Sequence, residues 1–242
     1  MAHYGLGRIP SKFDARDYAL ADFMPLTARK KLIVAPDTSW KFLAPPLNQD
    51  DTNHCVGFSM ADWGICLPVQ DNYNNENGHA FYYKCKIIDG EPNQENGSCI
   101  RSAAKVLKKE GKIDAYAFAA SVDEMKWWLV NKSPMIIGTL WLEGMFSPGS
   151  DNIIHTTGDV AGGHAYLIDE IKGNTLLGIQ NSWGSNWGIN GKAYIPISEF
   201  ITLFRNGGEA LASVELPIPV GQTETSTCWL FTLLNSLRTN KI

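Results

Sequence analysis

The hydrophobic period of this 242-residue chain changes near Pro134, and that change constrains its fold more than any other feature. Before it, apolar residues recur at helical spacing. Val56, Met60, Trp63 and Leu67 stand at i, i+4, i+7 and i+11, which predicts a helix over 55–67. This helix is apolar on several sides, as a buried central helix is. Residues 80–88 form an apolar, aromatic run between polar loops at 71–78 and 89–98. Ile100, Ala103, Ala104 and Leu107 form the stripe of another helix, with Lys105, Lys108 and Lys109 opposite and Gly111 placed to end it. Ser121 and Glu124 match a capping box ahead of a third helical segment, with Val122, Met125, Trp128 and Leu129 inward. After Pro134 the runs MIIGTLWL, HAYLIDEI, TLLGIQNS and GKAYIPI are short, β-branched and aromatic, and are separated by Gly and Asn turns. They predict strands. Lys172-Gly173-Asn174 predicts a tight hairpin pairing 164–171 with 175–182, which brings His164 and Asn181 to the same end.

The expected organisation is α+β: a helical part over 49–132 and a strand-rich part over 133–207. Residues 1–48, with Pro10, Pro25, Pro36, Pro45 and Pro46, read as an extended wrapping segment. Residues 208–242 read as an extension with a strand in ALASVELPIP and a helix bearing Trp229, Leu230, Leu233, Leu234 and Leu237. Such a stripe ordinarily packs on its own domain; docking on a partner is the second reading. A hydrophobic fraction of 44% with 11% aromatic residues is ample for a buried core. A net charge of −4 without basic blocks gives no footprint for nucleic acid or an anionic membrane.

The first residues contain no apolar signal-like region, and no stretch is long enough to span a membrane, so a cytoplasmic or virion-associated protein is expected. The cysteines, 55, 66, 85, 99 and 228, show no CxxC spacing. Reduced thiols are expected, with Cys85 and Cys99 the first pair to inspect. Neither HExxH nor a Cys/His cluster suggests a metal, and no cofactor is expected.

Chemistry concentrates in QDDTNHCVGFS, residues 49–59. Cys55 falls at a helix start, where free N–H groups and the helix dipole favour thiolate. An isolated cysteine is more often a small buried hydrophobe, so the reading needs a base and an oxyanion donor elsewhere. His164 follows Gly162 and Gly163, whose bare backbone admits a close approach. Gln49 lies six residues before Cys55.

Gln49 and Cys55 in that run, His164 in GGHAYLI, and Asn181 in NSWGSNWGINGKAYIP resemble, in order and spacing, the motifs of papain-like cysteine peptidases. NGSCIRSAAKVLKKEG and GLGRIPSKFDARDY resemble short bacterial and viral members that lack a long inhibitory propeptide. The resemblance runs from about residue 5 to about residue 200. It implies a helical lobe and an antiparallel β-barrel-like lobe with the cleft between them. It further implies Cys55 as nucleophile, His164 as base, Asn181 orienting the imidazole under Trp183, and the Gln49 amide with the Cys55 N–H as oxyanion donors. By the same resemblance Asn96, Gly97 and Ser98 pair with substrate backbone beside Gly163. Cys99, Ile100 and Ala165 line a small to medium apolar pocket, implying an apolar side chain two positions before the scissile bond.

Two departures bear on function. Better-known members carry Gly-Ser-Cys-Trp where this chain has Asn53-His54-Cys55-Val56. His54 is expected on the solvent side or the cleft rim, and Asn53 and His54 together are expected to narrow or polarise the cleft near the cleaved residue. The missing propeptide leads to the expectation that residues 1–48 partly cover the cleft. The function so expected is a cysteine-type endopeptidase acting on a peptide or protein substrate. A peptidoglycan-peptide hydrolase or amidase with the same residues, and a structural or virion-assembly protein on this fold, are the alternatives.

Overall fold

A computed structural model describes residues 4–29 and 34–214. Three helices precede most of the sheet. α1 (Cys55–Ile65) is buried along its whole length, which accounts for apolar residues on all its faces. It ends two residues before the expected Leu67, because Leu67 precedes Pro68 and a residue before proline disfavours helical backbone. α2 (Asn75–Asp89) starts at a reciprocal Asn74/Asn77 capping box and stops at Gly90 in left-handed conformation. α3 (Ile100–Lys109) turns Ile100, Ala103, Ala104 and Leu107 inward.

Among the described residues eight strands form one sheet: β1 (Tyr18–Ala19), β2 (Thr38–Ser39), β3 (Ala115–Phe118), β4 (Met135–Leu142), β5 (Val160–Lys172), β6 (Leu176–Gln180), β7 (Lys192–Pro196) and β8 (Glu209–Val214). Their order is β1-β3-β8-β4-β5-β6-β7, with β2 also on the long β5. The sheet is not closed, so the barrel-like part of the expectation is corrected to an open sheet. The β5–β6 hairpin turns through Gly173 and Asn174, both at positive φ, and Thr175 N–H donates to Lys172 O at 3.2 Å. α4 (Val122–Asn131) and α5 (Ile197–Arg205) are the remaining α-helices among the described residues.

The central strands stand between two apolar cores, and their side chains alternate between them as the two-residue period dictates. Met135, Ile137, Tyr166, Ile168, Ala210 and Ala212 enter one core with Trp141, Trp183 and Trp187. Ile136, Ala165, Leu167 and Leu211 enter the other, against Cys55, Val56, Met60 and the α3 stripe. α1 is therefore pressed onto the β4–β5–β8 face. The expected helix around Trp229 and Cys228 lies outside the described residues. Among the described residues no helix is long and apolar enough to cross a membrane.

Candidate active site

Cys55 opens α1 and is wholly buried. Burial pushes its thiol up to about 12, while the N–H groups of Ala165, Gly7 and Val56, which face the sulfur, act in the opposite direction. Desolvation thus outweighs the helix start, and the thiol stays protonated in this state. Ala165 is the neighbour of His164 on β5, so the strand carrying the histidine passes over Cys55.

His164 is buried on β5, and its Nε2–H donates to Asn181 Oδ1 at 2.9 Å. The Ser182 N–H donates to the same oxygen at 2.8 Å, which fixes the amide's orientation. Nδ1 of His164 is left buried and without a hydrogen-bond partner. The bond between thiol and imidazole is not formed here. Trp183 stacks on the imidazole at 4.5 Å between centroids, and Trp141 meets it edge-on at 4.9 Å. Burial lowers the imidazole to about 4, against the opposing pull of Asn181. Behind this group the Ser182 hydroxyl donates to Asp62 Oδ2 at 2.6 Å. Burial, with Asp169 nearby, raises the Asp62 carboxyl to about 8 despite that bond.

The chain's own beginning lies across these groups. Gly7 and Arg8 N–H both donate to Gly163 O, at 3.0 and 2.9 Å, and Ser98 N–H donates to Gly7 O at 2.9 Å. Ile9 N–H donates to Ser98 O at 2.8 Å, giving a parallel Arg8–Ser98 bridge. Tyr4 stacks on Trp183 at 4.5 Å. The fit depends on glycine: a Cβ on Gly7 would stand 2.1 Å from Asn53 O, and one on Gly163 would stand 2.1 Å from Arg8 O.

Gln49 is buried, and its Nε2 donates to Thr52 O at 2.8 Å and to Gly5 O at 3.2 Å. The Trp183 indole N–H donates to that same Gly5 carbonyl at 3.3 Å. The expected oxyanion donor is therefore engaged by the N-terminal segment in this state.

Of the expected backbone-pairing residues, Ser98 alone presents both its N–H and its C=O to the cleft segment. Gly97 N–H donates to the Tyr82 hydroxyl and its carbonyl accepts from Lys86 Nζ. Asn96 turns its amide to Lys86, Glu91 and Gln94. Ile100 and Ala165 are buried as expected for pocket walls, whereas Cys99 is half-buried against the Ser102 hydroxyl at 3.3 Å. The pocket is not purely apolar. Arg8 and Glu209 meet in it, and neither was found from the sequence; the one signal was a charge opening the otherwise apolar run EALASV.

His54 also departs from expectation: it is buried, not on the rim. Its ring stacks on Tyr82 at 3.8 Å and its nitrogens reach His79 Nδ1 at 2.7 Å and Glu95 Oε2 at 2.6 Å. Asn53 is exposed and donates to Glu95 O. These contacts tie the start of α1 to α2 and to the loop that carries Ser98. Cys55, Cys66, Cys85 and Cys99 are free thiols; Cys85 contacts Met60 sulfur at 3.6 Å rather than pairing with Cys99. Among the described residues no group of three His, Cys, Asp or Glu side chains can hold a metal ion.

Solved structures align with most of this architecture. Xylellain, a cysteine protease from Xylella fastidiosa, matches with a TM-score of 0.69 at 20% identity, over 88% of this chain and 98% of that one. The chain has the papain-like fold. The procathepsin B S9 of Trypanosoma congolense matches with a TM-score of 0.64 at 12% identity, over 88% of this chain and 87% of that one. A digestive procathepsin L 3 of Tenebrio molitor larval midgut matches at 0.58 and 14% identity, over 88% and 77% of the two chains. No family model and no curated protein matches the chain by sequence. On this papain-like fold the N-terminal segment follows the groove between the α1 side and the β5 side.

Proposed function

We propose that this protein is a papain-like cysteine endopeptidase in a closed state, with residues 5–9 as an internal plug. The observation that carries the reading is the arrangement on β5. Ala165 N–H faces the Cys55 sulfur, and the adjacent His164 is held through Nε2 by Asn181, which leaves Nδ1 as a lone-pair acceptor. With the plug withdrawn and water admitted, Nδ1 takes the Cys55 proton and the thiolate attacks a substrate carbonyl. Asn181 keeps the proton on Nε2 through the reaction. Withdrawal of Gly5 O frees one Gln49 N–H for the oxyanion, a donor worth about 10²–10³ in rate. The imidazolium then protonates the leaving amine, and water hydrolyses the thioester.

The plug resists cleavage because it offers the sulfur the wrong atom. Gly7 brings beside Cys55 a backbone N–H that also donates to Gly163 O, whereas acyl transfer needs a carbonyl carbon about 3–3.5 Å away. The cysteine-protease neighbours support the same reaction class.

The test is casein hydrolysis by the full-length protein, Gly7→Ala, and Gly7→Ala combined with Cys55→Ala. The added Cβ collides with Asn53 O and unseats the plug. Gly7→Ala should cleave faster than wild type, and the double variant should not cleave. Cleavage that survives Cys55→Ala sinks the reading, and amine release from peptidoglycan but not casein moves it to cell-wall crosslinks.

A further inference from the structure

The loop that pairs with the plug's backbone is itself held by one face of α2, and a buried lysine stands at the centre of that face. Tyr82, Lys86 and Asp89 lie at i, i+4 and i+7 on the helix, so all three turn toward residues 96–98. The Tyr82 hydroxyl accepts from Gly97 N–H at 3.1 Å, and Asp89 Oδ2 accepts from the Ser98 hydroxyl at 2.7 Å. Between them Lys86 Nζ donates to Gly97 O at 3.0 Å, to Asn96 Oδ1 at 2.6 Å and to Glu91 Oε2 at 2.8 Å. These bonds use all the protons of the ammonium. The Lys86 side chain is 1% exposed, and Asp89 Oδ2 lies 3.8 Å from its nitrogen. Buried ion pairs of this kind add little net stability over well-packed apolar side chains, so stability alone does not account for a lysine here.

What the ammonium does follows from the peptide plane. Gly97 C=O and Ser98 N–H belong to one planar trans unit and point in opposite directions. Holding the carbonyl inward on Lys86 therefore fixes the N–H outward, where it donates to Gly7 O at 2.9 Å. The cation also polarises that unit, which makes the N–H a stronger donor. Gly97 has a φ of 91°, and a Cβ on it would stand 2.1 Å from Gly7 O, so the bound backbone runs directly over this peptide.

An extended ligand that replaces the plug meets the same N–H. We propose that Lys86 is a positioning residue for peptide hydrolysis: through the Gly97–Ser98 peptide it aims and strengthens the N–H that binds a backbone carbonyl of the substrate. Enclosed under the loop, it acts through Ser98 and touches no substrate atom itself. The proposal rests on the cysteine peptidase reading, and its effect is confined to substrates that have a backbone carbonyl to offer.

Lys86→Met tests it, with Lys86→Gln in its place should the first not fold. Asp89 keeps the Ser98 and Ser102 hydroxyls and Glu91 is 41% exposed, so neither substitution strands a carboxylate. In the Gly7→Ala background, two substrates are compared: the best-cleaved member of an N-acetyl dipeptidyl aminomethylcoumarin library, and p-nitrophenyl acetate, which acylates a thiolate but has no peptide backbone. The Ser98 bond is made alike in the ground and transition states, so KM for the peptide should rise about ten-fold with kcat within about two-fold. Hydrolysis of p-nitrophenyl acetate should stay within about two-fold of the Lys86 parent. A peptide KM that does not move, or an equal loss with both substrates, overturns the proposal.

The second measurement needs no catalysis and leaves Gly7 in place. In full-length Lys86→Met the Ser98 amide should exchange hydrogen about ten-fold faster than in wild type, relative to the Gly7 and Arg8 amides that Gly163 O holds from the other side of the cleft. Exchange at Ser98 as slow as in wild type overturns the proposal. If Gly7→Ala cleaves neither substrate, the peptidase reading fails, and the exchange result alone decides whether Lys86 governs this N–H.

Discussion

At the residue scale, burial decides the ionisation of the site more strongly than local dipoles do. Cys55 has the helix start that favours thiolate, and three N–H groups besides, yet its thiol is pushed up to about 12. Asp62 shows the same rule in a place where it can be measured. Its carboxyl is raised from 3.8 to about 8, so the folded state holds a proton that the unfolded chain releases between those values. Stability therefore falls as pH rises through that window, by up to about 1.4 kcal/mol per pH unit. Asp62→Asn keeps a partner for the Ser182 hydroxyl and has no proton to lose. Urea unfolding at about pH 5 and about pH 8 should show a smaller decline with pH for the variant than for wild type. Equal declines would mean that Asp62 is not the protonated group.

At the scale of elements, legibility followed locality. The run MIIGTLWL is β4 from end to end, because alternate residues serve two cores and the boundary at Pro134 is local. The Lys172-Gly173-Asn174 turn was legible for the same reason. β3 was not: its four residues, AYAF, are held by β8, roughly a hundred residues away, and no local pattern announces that partner. α5 was also missed, since ISEFITLFR is rich in β-branched and aromatic residues that suit a strand as well as a helix. The grouping of Cys55, His164, Asn181 and Gln49 near residues 5–9 was legible through motif spacing. The Arg8–Glu209 contact was not, because the two are 201 positions apart and only the β4–β8 register brings the acid to the arginine. Ser121 was read as an α4 cap and does accept from Glu124 N–H at 3.2 Å, although the Glu124 side chain bonds Ala120 N–H rather than that of Ser121. Ser121→Ala should cost about 1 kcal/mol in urea unfolding, and Ser121→Asp much less. Equal losses for the two would locate the effect in packing, not in the cap.

At the scale of the molecule, closure of the cleft and protonation of His164 are coupled. Held under the plug, His164 titrates at about 4, against 6.5 for an exposed imidazole. Its ring meets Asn181, Trp141, Tyr166 and Trp183, none of which offers a negative charge in acid, and Asp62 reaches it only through Ser182 and Asn181. Charging the imidazole is thus favoured by opening. The folded pKa is depressed, so the contribution of neutral His164 to the closed state is complete above 6.5 and is lost as pH falls toward 4. At its limit the loss is about 3 kcal/mol. Acid is therefore expected to lift residues 5–9 from the cleft while the two cores stay packed. Hydrogen exchange at the Gly7, Arg8 and Ser98 amides, corrected for the intrinsic pH dependence, should lose protection between about pH 6.5 and about pH 4.5, before the amides of α1 and β4 do. The Arg8–Glu209 pair and the buried His54 persist in His164→Gln, so this variant isolates the imidazole. Its plug amides should keep their protection across the same range, and a wild-type loss of protection reproduced in His164→Gln would assign acid opening to another group.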